Sequence, residues 1–182
     1  MKRNIMNKSK FYTLATASIL SITCLFAFKP VDEIKGWFLA GSNPESYEID
    51  LVKDQDTNSN VGHLKSKHAV DGFGTIMQSF KPTSYLGKRV RLSGYIKSKD
   101  VSGWAGMWLR IDGQDKTQPL AFDNMHGRPI KGTNAWSKYE IVLDAPETST
   151  DFAFGVLQAG TGEVWLDDLQ FEIVDKSVPL TK

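Results

Sequence analysis

The sequence predicts an all-β sandwich, and three observations carry that prediction. Apolar and polar residues alternate in short runs, the pattern of strands with one buried face. Fifteen glycines among 182 residues supply frequent turns. No helical period is sustained after residue 29, and eight or nine short strands at close spacing describe two packed sheets rather than a helical body.

The elements follow in order. Residues 47–51 alternate apolar and acidic side chains, a half-buried strand, and residues 54–60 form a polar, turn-rich loop. Residues 74–80 form a strand whose inward face is open between Ile76/Phe80 and Met77. Residues 89–97 place Val90, Leu92 and Ile96 on one face and Arg89, Arg91, Tyr95 and Lys97 on the other. A second strand over residues 104–112 sets Ala105, Met107, Leu109 and Ile111 against Trp104, Gly106, Trp108, Arg110 and Asp112.

Residues 120–123 are a short strand, followed by a long loop through His126, Arg128, Pro129, Gly132 and Asn134. Tyr139, Ile141 and Leu143 mark a strand stopped at Ala145-Pro146. Residues 151–158 contribute Phe152, Phe154 and Val156. A closing strand over residues 163–174 follows, with Leu169, Phe171 and Ile173 alternating inward. Residues 36–175 thus make one domain, and residues 176–182 read as a loose tail.

Lys2, Arg3, Lys8 and Lys10 precede an uncharged stretch over residues 11–28, the charge order of a secretory signal peptide or membrane anchor. Residues 29–35 are a linker. Cleavage after Ala27 sets Leu25 where a small residue is preferred, so retention stays open beside removal. Cys24, the sole cysteine, follows Ser21-Ile22-Thr23, a poor lipidation signal, and the exported part has no thiols for a disulfide framework. The expected location is extracytoplasmic, secreted or anchored, with membrane contact only through the N-terminal segment. Without the four leader charges, 18 basic residues face 21 acidic ones, which argues against nucleic acid as a partner.

Three segments carry a family resemblance: Tyr85-Leu86-Gly87-Lys88-Arg89 with the strand it opens, Gly132-Thr133-Asn134-Ala135-Trp136-Ser137-Lys138-Tyr139, and Gly160-Thr161-Gly162-Glu163-Val164-Trp165-Leu166-Asp167-Asp168-Leu169. Together they resemble the galactose-binding-like superfamily, jelly rolls that include many carbohydrate-binding modules. The resemblance implies a jelly-roll β-sandwich and a carbohydrate or polyol ligand. Residues 36–41, 104–108 and 121–125 are also similar to a domain appended to some AraC-type transcriptional regulators, here without a helix-turn-helix segment.

Two tryptophans on a strand whose other face already feeds a core point to a ligand. Indole rings stack on apolar sugar faces, while a guanidinium and an amide serve hydroxyls. The candidate ligand-binding residues are Trp104, Trp108 and Arg110, with Asn124 and Arg128 at the rim and Tyr95 and Gln78 beside them. The competing reading buries Trp104 and Trp108 under loops or in a second core, and makes Asp123 and Asn124 turn caps. Asp167, in the Asp167-Asp168 pair, matches the position where related modules hold a structural calcium, although that ion needs six to eight oxygens.

Nothing in the sequence points to catalysis. His63, His68 and His126 lack metal-binding spacing, residues 63–68 read as a solvated loop, and neither a nucleophile elbow nor a phosphate loop is present. The expectation is a non-catalytic binding module without cofactor. Its partner is a glycan or small polyol, with a surface protein or sensory role as the alternative.

Overall fold

The computed structural model describes residues 36–68 and 71–181. The leader and linker expected over residues 1–35 lie outside the described residues. Nine strands follow one another: β1 Phe38–Gly41, β2 Tyr47–Lys53, β3 Asn60–Ser66, β4 Phe73–Phe80, β5 Arg89–Asp112, β6 Ala121–Asp123, β7 Ile130–Asp144, β8 Asp151–Ala159 and β9 Glu163–Val174. Among the described residues the helical content is one 3-10 turn, Pro44–Ser46. The expected all-β sandwich is what forms.

Strand β5 organises the architecture. Its first half pairs with β9 and β7, and its second half pairs with β8 and β6. One layer therefore runs β2-β3-β9-β5-β7, here the back layer, and the other runs β1-β4-β8-β5-β6, the front layer. The sequence predicts two strands over this stretch, but residues 98–103 form no turn. They carry β5 across from one layer to the other, with register shifts against β7 and Asp100 in the left-handed region at φ 52°.

Burial follows the predicted alternation. Val90, Leu92 and Ile96 from the back layer meet Met107, Leu109 and Ile111 from the front layer in one core, all fully buried or nearly so. Each such side chain contributes roughly 1.5–3 kcal/mol. Aromatic rings bridge the layers: Phe154 meets Phe171 edge-on at 4.9 Å, and Phe80 meets Phe171 at 5.2 Å. Ile76 faces this core, and Met77 points away from it.

Four local expectations are corrected. Residues 63–66 belong to strand β3 rather than to a solvated loop, because His63 is held between carboxylates and packed against Trp165. The predicted long loop after β6 is short, since β7 begins at Ile130 and includes Gly132 and Asn134. Ile173 is exposed although Phe171 packs on the core, because β3 pairs only with Glu163–Leu166 and leaves this end of β9 at the edge of the layer. The tail is fixed on β7: Thr181 N donates to Val142 O, Val142 N donates to Thr181 Oγ1, and Arg89 donates to the carbonyls of Lys176 and Val178.

Candidate ligand-binding recess

The predicted ligand-binding residues do not converge. Trp108 is only 8% exposed, and its indole N–H donates to Thr75 Oγ1 at 2.8 Å. Thr75 lies on β4, so the indole crosses β8, where its register partner Gly155 presents no side chain. Trp108 is thereby a packing residue of the outer front face, which corrects the expectation of an accessible stacking surface. Trp104 is half-buried, edge-on to His126 at 5.4 Å.

The polar candidates are engaged within the protein. Arg110 donates to both Asp112 oxygens at 2.9 and 3.0 Å and to the Lys116 carbonyl. Asn124 Oδ1 accepts from the His126 amide, a turn cap. Arg128 donates to Asp123 at 2.8 Å and to the Glu140 carbonyl. Burial raises the Asp123 carboxyl, but hydrogen bonds led by the Arg128 guanidinium hold it below the ordinary range. Gln78 is in register with Phe154 and so lies on the core side of the front layer, the opposite face from Trp108. Tyr95 stands on the outer face of the back layer.

Tyr95 nevertheless lies in an aromatic and charged surface. Across β3, β9, β5 and β7 the outward side chains His63, Trp165, Lys97 and Trp136 stand side by side. His63 stacks on Trp165 at 4.8 Å and an 8° interplanar angle, its two nitrogens 2.8 Å from Asp50 and 3.1 Å from Glu163. The Lys97 ammonium lies 5.2 Å from the centre of Trp136 and 5.0 Å from that of Trp165, a double cation–π contact.

Asp54 anchors the loop beneath this row. Its carboxylate accepts from the Asp56 and Thr57 amides, the Trp136 indole and the Lys97 ammonium. Burial opposes its ionisation, yet those donors, Lys97 first, hold it far below the usual carboxylate range. Loop 54–59 is thus tied to β5 and β7, and Ser59 Oγ extends the tie to Asp167 on β9.

Beside this row opens a recess of about 480 Å³ lined by Thr57, Tyr95, Trp136, Asp167 and Asp168. A second, of about 380 Å³, includes Lys97, Lys99, Thr133, Asn134 and Trp165 in its lining. The first combines two aromatic rings, an aliphatic hydroxyl and two carboxylates, the mixture of flat apolar surface and fixed polar groups that small-molecule sites use. Tyr95 is its exposed wall, at 39%.

Of the predicted residues, this recess unites Tyr95 and Asp167. Asp168 enters with Asp167, the pair read from the sequence as a calcium position, whereas sequence reasoning missed Thr57 and Trp136. Trp165 sits between Glu163 and Asp167 on a strand's polar face, the same signal that singled out Trp104 and Trp108. Trp136 lies just ahead of the alternating Tyr139-Ile141-Leu143 run, so it was legible only as part of a loop.

Asp167 accepts from Asp168 N and Ser59 Oγ, Asp168 accepts from Gln170, and among the described residues no three His, Cys, Asp or Glu side chains converge as a metal site.

No protein-family model matches the chain. Over 152 residues it is 46% identical to the uncharacterized HTH-type transcriptional regulator YbfP of Bacillus subtilis (strain 168), a match covering 82% of this chain and 51% of the relative. The chain therefore spans about half the length of the curated relative it matches.

Among solved structures it is similar to the CBM22-1 xylan-binding domain of Paenibacillus barcinonensis Xyn10C, with TM-score 0.55, 16% identity, and 78% and 87% of the two chains covered. It is also similar to the enzymatically active domain of bacteriophage CBA120 tailspike protein 4, with TM-score 0.57, 13% identity, and 77% and 20% covered. The fold is the jelly roll of the carbohydrate-binding modules. The sequence is akin to part of an HTH-type regulator, in keeping with the regulator resemblance drawn from the sequence.

Proposed function

We propose that this chain is a non-catalytic, extracytoplasmic binding module that takes a carbohydrate or polyol in the Tyr95–Trp136 recess. One observation carries the reading: a recess walled by two rings and ringed by oxygen groups, on a jelly roll whose solved relatives include a xylan-binding domain. Tyr95 offers a ring face to the apolar side of a sugar, and Thr57, Asp167 and Asp168 offer acceptors to its hydroxyls. Shallow recognition of this kind is weak, on the order of micromolar to millimolar. The extracytoplasmic setting rests on the charge order of residues 1–28.

A glycan-array screen followed by titration of the captured glycan tests the reading. Capture of one glycan class, lost in Tyr95→Ala, supports it; an empty array contradicts it.

The 46% identity to part of a regulator favours one second reading, a sensory or protein-docking module. It shares the fold and differs in occupant. Affinity capture from cell-envelope extract that survives Tyr95→Ala, with no glycan retained, decides for it.

A further inference from the structure

We propose that the ligand of this recess carries a protonated amine, and that the glycan class it selects is one of amino sugars with free amino groups. This rests on the binding reading above and adds the chemistry of the ligand. Two observations carry it.

The first is backbone geometry. Consecutive side chains of a regular strand point to opposite faces, so two successive aspartates lining one recess require an irregularity. Strand β9 supplies it. Ser93 pairs with Gln170 and Tyr95 with Asp167, so three steps on β9 oppose two on β5. The extra residue is Asp168, a non-glycine in the left-handed region at φ 52°. This bulge brings both carboxylates to the recess.

The second is charge. On the same layer Asp54, Asp56, Glu140, Glu163 and Glu172 each lie within ion-pair distance of a lysine or arginine. Asp167 and Asp168 have no ion-pair partner among the described residues, and the lining of the recess contains no cation. Lys97, two residues along β5, is committed to Asp54 and Asp56. Lys138, in register with Tyr95, is exposed and does not line the recess.

Two adjacent carboxylates repel unless a cation joins them. The negative ring face of Tyr95 favours that same cation, and ammonium–carboxylate hydrogen bonds are the strong kind. A neutral sugar relieves none of this repulsion. An ammonium on the sugar ring relieves it while the ring still stacks.

The test is calorimetric titration of the full chain with three β-1,4-linked hexasaccharides: glucosamine, N-acetylglucosamine and xylose. The expected result is at least tenfold tighter binding of the glucosamine oligomer, weakening as salt is added. Asp168→Asn, which keeps a residue tolerant of the left-handed region, removes that preference, so that the glucosamine oligomer binds the variant no tighter than the neutral oligomers do. Equal or tighter binding of a neutral oligomer, indifferent to Asp168→Asn, overturns the amine inference and leaves the glycan reading standing. Failure of all three to bind overturns the amine inference; an empty glycan array besides overturns the reading beneath it.

Discussion

The Trp108 indole N–H donates to the Thr75 hydroxyl at 2.8 Å across the width of strand β8. That bond turns a residue whose pattern reads as ligand-facing into one that clamps three strands of the front layer. Trp108→Ala removes the ring and leaves Thr75 and Gly155 uncovered. The expected cost is roughly 3–5 kcal/mol, a fall in melting temperature on the order of 10 °C by calorimetry. A variant that melts within a degree or two of the parent contradicts the packing role.

Arg128 and Asp123 form a second such unit, in which the Asp123 side chain is 3% exposed. Arg128→Ala strands a buried carboxylate and costs about 3–5 kcal/mol. Removing both charges costs less than removing Arg128 alone, because no orphan remains. A double-mutant cycle by denaturant unfolding measures the coupling, and strict additivity argues against the pair.

Acid sensitivity follows from the sign of the shifts. Lys116, then Lys81, hold the Asp151 carboxyl down to about 2, and Asp54 is depressed in the same direction by Lys97 and its loop. A carboxyl depressed in the folded state stabilises it fully above its unfolded pKa near 4, and that contribution fades as pH falls through the folded value. Stability therefore declines from about pH 4 toward 2. Asp151→Asn flattens part of that decline, by a modest amount that salt reduces further, since Lys81 and Lys116 are well exposed. Urea midpoints at stepped pH measure it, and identical slopes for the variant and parent contradict it.

Much of the fold was legible because burial on one face imposes a two-residue period. Ala105, Met107, Leu109 and Ile111 could be read as inward from their spacing alone, and all are fully buried. The period does not reveal what covers the other face. Trp104, Trp108 and Arg110 share a face in sequence, yet the 123–128 loop folds against Gly106, and Trp108 reaches Thr75, a residue 33 positions away. The recess was less legible still. Its walls come from β5, β7, β9 and loop 54–59, joined only by long-range pairings, and the bulge that turns Asp168 is set by register rather than by composition.

Loop 54–59 forms one rim, and Asp54 holds it there. Asp54→Ala leaves Lys97 with Asp56 alone and frees the Trp136 indole and the Thr57 amide. Ligand affinity is expected to fall at least tenfold, about 1.4 kcal/mol, with faster amide exchange at Thr57 measured by hydrogen exchange. Unchanged exchange at Thr57 argues that the loop is held by other contacts.

Titration of one array-selected glycan into the parent chain, Tyr95→Ala and Trp104→Ala tests the central claim most directly. Tyr95 is exposed and its removal opens no core, so affinity is expected to fall at least tenfold while the melting temperature stays within about 2 °C. Trp104→Ala is expected to leave affinity intact. Undiminished binding by Tyr95→Ala, with binding lost in Trp104→Ala, places the ligand on the front layer and contradicts the account.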